Sequence, residues 1–165
     1  MSKTIAGAKD LFAIASQVTD PEIPVLSIAD LGILREVDMA EDGTVQVVIT
    51  PTYSGCPAMD AINGDLYTAF ADAGYEKVDV KLVLSPAWST DWMTAEGKAK
   101  LEQYGIAPPT GQGHAGRVTL GMSVKCPRCH SLNTRELARF ASTSCKALYT
   151  CKDCLEPFDY FKVLS

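Results

Sequence analysis

The spacing of apolar residues changes repeatedly between helical and strand-like along the first hundred residues. Apolar side chains recur at helical spacing over residues of about 5–18 and again over residues 62–73. Two short β-rich runs, GILREVD and TVQVVIT, lie between these segments and are joined by the turn-forming MAEDG. The pattern predicts a helix, a β-hairpin and a second helix, in this order.

Two further elements complete the predicted first domain. KVDVKLVLS alternates apolar and charged residues, which is typical of a half-buried strand. A last helix is predicted from Asp91 to Tyr104, with Thr90 as its N-cap and Gly105 as its stop. The order α-β-β-α-β-α predicts a small α+β domain over residues 1–107.

A change in composition separates this domain from the rest of the chain. Residues 108–116 lie in a stretch rich in glycine and proline and are predicted to form a linker. Beyond it, RVTLGMSVK alternates apolar residues as a strand does, and it runs into the first of two cysteine pairs. Residues 117–165 are therefore expected to form a separate, all-β module.

The strongest chemical signal is a pair of Cys-x-x-Cys sequences. CPRC supplies Cys126 and Cys129, CKDC supplies Cys151 and Cys154, and the 21 residues between them suffice for a β-hairpin. Two such knuckles provide the four thiolates of a tetrahedral zinc ion, so a zinc ribbon is predicted. A redox dithiol and an iron–sulfur site use the same ligands and are the alternatives. A closed set of four protein ligands leaves no open position, which predicts that the zinc is structural.

Composition and charge narrow the class of protein. Six cysteines in a chain without a secretory signal or a long apolar run predict a reducing, cytoplasmic location and no membrane partner. The net charge is −5, but residues 1–116 contribute −9 and residues 117–165 contribute +4. The acidic larger part would repel phosphate, so nucleic acid is not expected as a partner. A basic tail that binds RNA is the alternative.

Cys56 lies at a junction between strand-like and helical sequence, in TPTYSGCPAMDAI. Pro57 suits the first position of a helix, which would make Cys56 the N-cap. Backbone N–H groups and the positive end of the helix dipole lower the pKa of a thiol in that position, so a reactive thiolate is predicted. The alternative is a buried capping cysteine without a reactive role.

Asp20 and Glu22 lie two residues apart in DPEIP, where two prolines favour extended backbone. Carboxylates at that spacing on an extended chain point to the same side. If this segment meets Cys56 in the fold, the three side chains would form a mixed oxygen and sulfur ligand set able to hold iron transiently. On their own, the two carboxylates would form a solvated acidic turn.

The remaining cysteine and a neighbouring histidine are weaker candidates. Cys145 has the spacing to share a strand face with Cys151, but a distance of about 20 Å along the strand would exclude it from the zinc site. A buried small thiol is favoured for Cys145, with a functional thiol as the alternative. His130 directly follows a ligand cysteine and is predicted to face solvent, because four sulfurs already complete the site.

Several segments together carry a resemblance to a known family. DPEIPVLSIADLGILREV, TPTYSGCPAMDAI and DWMTAEGKAKLEQYGIAPP resemble the iron–sulfur assembly domain of SufT-like and eukaryotic cytosolic assembly factors. The second half, with CPRC and FASTSCKALYTCKDCLEPFDYFK, resembles the ribbon of the PaaD family of phenylacetate degradation. The resemblance implies a role in maturing a multicomponent phenylacetyl-CoA monooxygenase (epoxidase), which needs a di-iron centre and a ferredoxin-type reductase cluster. It also implies that Cys56 is the functional thiol and that Asp20 to Glu22 correspond to the family's Asp-Pro-Glu segment.

The expected function is therefore that of a non-enzymatic maturation factor that inserts iron or an iron–sulfur cluster into the monooxygenase. Zn²⁺ would be structural, and iron or a cluster would be held transiently by Cys56, with Asp20 and Glu22 as auxiliary groups. The expected partners are the monooxygenase subunits, with the ferredoxin-type reductase among the candidates and a homodimer as one permitted state. Two alternatives stay open. A structural subunit would co-purify stoichiometrically with the oxygenase, whereas a thiol oxidoreductase would need a resolving cysteine that the first domain lacks.

Overall fold

The computed structural model describes residues 8–109 and 123–163 of the chain. The chain forms two compact units, and the boundary between them in the sequence falls between Trp88 and Ser89. The first unit contains α1 (Ala8–Ala15), β1 (Leu34–Met39), β2 (Val45–Ile49), α2 (Ala58–Asp72) and β3 (Val78–Leu82). The second unit contains a 3-10 turn (Thr90–Trp92), α3 (Ala95–Tyr104), β4 (Ile106–Ala107), β5 (Thr134–Ala138), β6 (Lys146–Cys151) and β7 (Pro157–Phe161).

The first unit is a three-stranded sheet in the order β1-β2-β3, accompanied by two helices. β1 and β2 form the predicted antiparallel hairpin, and β3 returns parallel to β2 after the crossover through α2. The central strand β2 alternates buried and half-buried residues, and α2 buries Ile62, Leu66 and Phe70 at helical spacing. The mixed α+β class and the order of the elements are as the hydrophobic pattern predicts.

Two predictions for the first unit differ from the structure in detail. The helix predicted over residues 5–18 ends at Ala15, because Ser16 and Gln17 turn the chain; residues 5–7 lie outside the described part. The predicted half-buried face of β3 is only partly covered. β3 is an edge strand, and its Leu82 is 49% exposed.

The second unit is a four-stranded sheet in the order β4-β7-β6-β5. β5 and β6 form the predicted antiparallel hairpin between the cysteine pairs, β7 pairs antiparallel with β6, and the short β4 pairs parallel with β7. The pairing of β4 places α3 and β4 in the same compact unit as the ribbon strands. The domain bounds 1–107, 108–116 and 117–165 stay a prediction, since most of the linker lies outside the described residues.

The start of α3 is a correction to the prediction. The sequence predicts that Thr90 caps a helix beginning at Asp91, but a single 3-10 turn forms there, and Met93 then takes up an extended conformation with ψ of 137°. The side-chain oxygen of Thr94 accepts a hydrogen bond from the backbone N–H of Gly97, which starts the helix at Ala95. Gly105 ends α3 in the left-handed conformation, as predicted.

The strand predicted over RVTLGMSVK is not present in the part of that segment that the structure describes. Residues 117–122 lie outside the described part, and residues 123–125 are irregular. Val124 nevertheless belongs to the core of the second unit. The other members of that core, two cysteines included, are Ala107, Cys126, Ala147, Cys151, Phe158 and Tyr160.

Candidate metal centre and functional thiol

The four cysteines of the two Cys-x-x-Cys sequences converge at one end of the β5–β6 hairpin. Their Sγ atoms all lie within 4.8 Å of one another. The Sγ atoms of Cys126 and Cys154 are 3.8 Å apart, and those of Cys129 and Cys151 are 3.5 Å apart. A tetrahedron of thiolates around zinc, with Zn–S bonds of ~2.3 Å, has edges of about 3.8 Å. The donor set therefore fits a tetrahedral metal ion of that size.

The backbone of each cysteine pair is closed by hydrogen bonds and by a residue in the left-handed region. The N–H of His130 donates to the carbonyl of Cys126 over 3.0 Å, and the N–H of Cys151 donates to the carbonyl of Glu156 over 3.0 Å. His130 and Leu155 each follow the second cysteine of a pair, with φ of 63° and 64°. This shared geometry turns both thiols of each pair toward the same centre.

Asp153 links the two knuckles through side-chain hydrogen bonds. The hydroxyl of Ser131 and the side-chain amide of Asn133 both donate to its carboxylate, the latter over 2.8 Å. These two hydrogen bonds, that of Ser131 first, lower the pKa of the Asp153 carboxyl. The backbone N–H of Lys152 donates in turn to the carbonyl of Asn133 over 2.8 Å. The knuckles are thus held in register by bonds that do not involve the metal ligands.

The four thiols differ in burial and acidity. Cys126 and Cys151 are buried, Cys154 is half-buried and Cys129 is exposed. The backbone N–H of Cys154, assisted by that of Asp153, lowers the pKa of the Cys151 thiol to about 7 against the opposing effect of burial. Because neighbouring thiolates repel one another, a bound cation is needed to keep all four deprotonated together.

α3 touches the first knuckle through Glu102, which sequence analysis did not single out. The Oε1 atom of Glu102 lies 3.1 Å from Nζ of Lys125 and 3.5 Å from Nδ1 of His130. The His130 side chain is 62% exposed and lies outside the group of four ligands, as predicted. No local sequence pattern could reveal this contact, since α3 and the knuckle are far apart along the chain.

Cys56 directly precedes the N-cap of α2 and is not the N-cap that the sequence predicts. Pro57 adopts helical angles (φ −67°, ψ −20°) and is the N-cap, and α2 begins at Ala58. The Cys56 sulfur nevertheless accepts a hydrogen bond from the backbone N–H of Ala58 and another from the Tyr53 side chain. Gly55, at φ of 79°, allows the turn in which the Cys56 N–H donates to the Tyr53 carbonyl over 3.3 Å. The turn therefore brings Tyr53 to the thiol.

The predicted fall in the pKa of Cys56 is wrong. Burial of the half-buried thiol raises its pKa and outweighs the hydrogen bonds from Ala58 and Tyr53. The negative charges of Glu22 and Asp20 raise the pKa further. At neutral pH, therefore, the free protein holds Cys56 mainly as a thiol.

Asp20 and Glu22 lie close enough to Cys56 for their charges to act on its thiol, but the backbone around Asp20 is not extended. Asp20 is buried, and its Oδ1 atom accepts hydrogen bonds from the N–H groups of Glu22 (2.7 Å) and Ile23 (3.0 Å), which forms a tight turn. Glu22 is exposed. Across residues 8–109 and 123–163, the four ribbon cysteines form the only group of three or more Cys, His, Asp or Glu side chains close enough to share a metal. Asp20 thus holds the turn, and Cys56, Asp20 and Glu22 are not a preformed metal site.

Glu22→Gln should make Cys56 more reactive. Removing this charge removes one cause of the raised pKa, so the thiolate fraction at neutral pH increases. We expect faster alkylation of Cys56 by iodoacetamide at pH 7, and in both proteins a rate that climbs as the pH rises. Mass spectrometry of the modified Cys56 peptide across a pH series measures this. Glu76→Gln, which removes an exposed charge that does not act on the thiol, is the control, and equal rates for the two variants would contradict the prediction.

Cys145 is a buried cysteine of the second unit. It is 7% exposed, directly precedes β6, and its Sγ atom is 3.0 Å from Oγ1 of Thr143. It is not a member of the four-cysteine group. Its burial matches the favoured prediction of a small packed thiol, while a functional role stays untested.

Two family models match the chain in different parts. The model described as "Iron-sulfur cluster assembly protein" matches residues 9–89, and the model described as "PaaD zinc beta ribbon domain" matches residues 112–162. The first match contains Cys56, Asp20 and Glu22, and the second contains all four clustered cysteines. Each site thus falls within its own family match.

Similar proteins have been named for two related roles. A protein of Escherichia coli (strain K12) named as one of the subunits of 1,2-phenylacetyl-CoA epoxidase is 48% identical over 155 residues, which are 94% of this chain and 92% of that protein. An Fe-S protein maturation auxiliary factor of Porphyromonas gingivalis is 36% identical over 94 residues, which are 56% of this chain and 89% of that factor. The factor YitW of Bacillus subtilis is 35% identical over 94 residues, which are 56% of this chain and 91% of that factor.

Solved structures resemble the chain over about the same share of its length. A crystal structure of a DUF59 domain from Bacillus anthracis has a TM-score of 0.53 and 27% identity, and covers 57% of this chain and 90% of that domain. A conserved hypothetical protein of Thermotoga maritima has a TM-score of 0.50 and 27% identity, and covers 61% of this chain and 98% of that protein. Within the described residues, no helix has the length and apolar character needed to cross a bilayer.

Proposed function

The chain belongs to the PaaD family, and from this membership we propose that it is a cytoplasmic, non-catalytic maturation factor for a multicomponent phenylacetyl-CoA epoxidase. The relative that matches nearly the whole chain is named as part of that epoxidase, which supports the epoxidase as the client. The relatives named as Fe-S protein maturation auxiliary factors support a role in maturation. The iron-sulfur cluster assembly model matches residues 9–89, which include Cys56. The proposed clients are the epoxidase subunits, the ferredoxin-type reductase among them.

The four-cysteine centre is proposed to hold structural zinc. The distances between its sulfurs suit a zinc–thiolate tetrahedron, and the matched family model is a zinc ribbon. Cys126, Cys129, Cys151 and Cys154 fill all four positions, so no position is left for a substrate. The ion would stabilise the fold of the second unit.

Cys56 is proposed to be the transient ligand of the cargo, either iron or an iron–sulfur cluster. The observation that carries this proposal is the placement of a half-buried thiol where the N–H of Ala58 and the Tyr53 side chain both point at its sulfur. Burial and carboxylates keep the free thiol protonated, but a bound cation favours the thiolate. Cys56 would therefore bind cargo with release of a proton and would resist reaction while empty.

The two acidic residues are proposed to have different roles. Asp20 would position the turn beside Cys56, because its Oδ1 atom is already used by two backbone N–H groups. Glu22 is exposed and its charge acts on the thiol, so it is proposed as an auxiliary oxygen ligand. Cys145 is assigned a packing role because it is buried beside Thr143.

A non-catalytic structural subunit of the epoxidase is the second candidate, and the name of the E. coli relative favours it. A thiol oxidoreductase is disfavoured, because Cys56 is the only cysteine among residues 1–116 and has no resolving partner there.

Reconstitution of the epoxidase separates the two leading candidates. The other subunits would be purified separately without metal and then loaded with iron, either in the presence or in the absence of this protein. This protein would be removed before epoxidase activity is assayed. We expect activity only where the protein was present during loading, and no need for it in the assay. A requirement for stoichiometric protein during turnover would favour the structural subunit, and full activity from subunits that never met the protein would contradict both.

A further inference from the structure

The tip of the β5–β6 hairpin, at the opposite end from the four cysteines, carries an exposed aromatic ring with a lysine over it and an arginine next to it in sequence. Phe140 lies just after β5 and is 66% exposed. The Nζ atom of Lys162 lies 4.2 Å from the centre of the Phe140 ring and donates a hydrogen bond to the carbonyl of Arg139 over 2.9 Å. We call Arg139, Phe140 and Lys162 the hairpin patch.

Among the described residues, the charges that act on Lys162 of the hairpin patch are those of the Cys145 thiol, Arg139 and one carboxylate, Glu136. Burial lowers the pKa of Lys162, and the nearby positive charge of Arg139 lowers it further. Glu136 is the carboxylate that acts on Lys162, but it also accepts a hydrogen bond from the Tyr149 hydroxyl over 3.3 Å. Two like charges kept together at a surface favour an anionic partner, since such a partner relieves their repulsion.

The hairpin patch adjoins an open sheet edge. β5 is the outermost strand in the order β4-β7-β6-β5, so one side of its backbone has no neighbouring strand in the described sheet. Its three central residues are exposed, and Leu137 is 48% exposed. Exposed edges of this kind accept an additional strand, with backbone hydrogen bonds giving affinity and adjacent side chains giving specificity.

We propose that the edge of β5 and the hairpin patch together dock an extended acidic segment of the client epoxidase. Backbone of that segment would pair with β5, its carboxylates would meet Arg139 and Lys162, and an apolar side chain would cover Phe140. The charge of the module is consistent with this, because residues 117–165 carry +4. The inference rests on the proposed function for the identity of the client, and it assigns docking to a surface separate from the cargo thiol.

The test measures binding of each purified epoxidase subunit to the intact protein in two salt concentrations. Arg139→Glu and Phe140→Ser should each weaken the affinity at least about tenfold, as loss of a central charged or aromatic anchor does. Arg128→Glu is the matched control, because it makes the same charge change at an exposed position in the first knuckle. It should change the affinity less than about twofold, and added salt should weaken binding of the unaltered protein. Zinc content of every variant is measured to confirm an intact fold.

Hydrogen exchange supplies the second measurement, since pairing with a partner strand should slow exchange of the β5 amides on complex formation. The inference is overturned if the two arginine variants weaken binding equally, if β5 gains no protection, or if no subunit binds. Tighter binding to an RNA oligonucleotide than to any of the subunits, lost in Arg139→Glu, would also overturn it in favour of a phosphate-binding surface. Cys56→Ser distinguishes the two proposals. Retained binding with lost maturation supports both, whereas retained binding with full maturation rejects only the role of the thiol.

Discussion

Replacing Cys56 by serine is expected to abolish maturation of the epoxidase while folding and zinc content stay unchanged. Serine is nearly isosteric and can keep the hydrogen bonds from the Ala58 N–H and the Tyr53 side chain. It cannot provide the soft thiolate that binds iron or a cluster. Because Cys56 lies in the first unit, its loss leaves the four-cysteine centre intact. Epoxidase activity in cells that carry the variant measures the effect.

The control for this experiment is Cys145→Ser, which removes the other cysteine outside the metal centre. Its burial beside Thr143 predicts a small loss of stability of the second unit and near-normal maturation. Thermal unfolding and zinc analysis of both variants exclude misfolding as the cause. Normal epoxidase activity with Cys56→Ser would reject the thiol as the cargo ligand.

Loss of a single metal ligand should unfold the second unit, and Cys126→Ser is the sharpest case. Cys126 is fully buried among the apolar side chains of the ribbon core. Structural zinc contributes roughly 10–16 kcal/mol of apparent binding free energy in small zinc-dependent domains, as much as the roughly 5–15 kcal/mol by which a whole domain is stable. We therefore expect the ribbon to unfold when its metal is lost. Hydrogen exchange should show loss of protection in β5, β6 and β7, with protection of β1 to β3 retained.

The matched control for the metal prediction is Leu155→Gly. Leu155 is 77% exposed and has a positive φ, which glycine adopts at no steric cost. This change next to a ligand should keep one zinc per chain and leave the ribbon at least as stable. A Cys126→Ser protein whose second unit remains protected without metal would show that the apolar core alone suffices.

Local patterns in the sequence predict the elements that local physics decides. The period of the apolar residues identifies both strands of the hairpin and α2, and the knuckle spacing identifies the four clustered cysteines. β4 is missed because it has only two residues and becomes a strand only by pairing with the distant β7. The start of α3 is misplaced because two nearby residues, Thr90 and Thr94, are both suitable caps and only packing selects between them.

The electrostatics of the Cys56 site also depend on tertiary contacts that local sequence patterns do not predict. The sequence indicates a thiol close to a helix N-terminus, and backbone N–H groups do contact it. The pKa nevertheless moves in the opposite direction to the predicted one, because the depth of burial and the approach of Glu22 and Asp20 depend on tertiary folding. Likewise, DPEIP forms a turn because the Asp20 side chain binds the following backbone, which outweighs the preference of proline for extended neighbours.

The parallel pairing of β4 with β7 has a consequence for the order in which the ribbon folds. It joins Ile106 to Asp159, about 50 residues apart, whereas β5 and β6 are neighbours in a hairpin. A metal shared by Cys126 and Cys154 shortens the path between the β4 and β7 partners to about 25 residues, which lowers the entropic cost of closing that loop by about 0.6 kcal/mol. We therefore expect the hairpin and its metal to assemble first and the β4 pairing to follow, so that α3 is the last part of the second unit to become fixed.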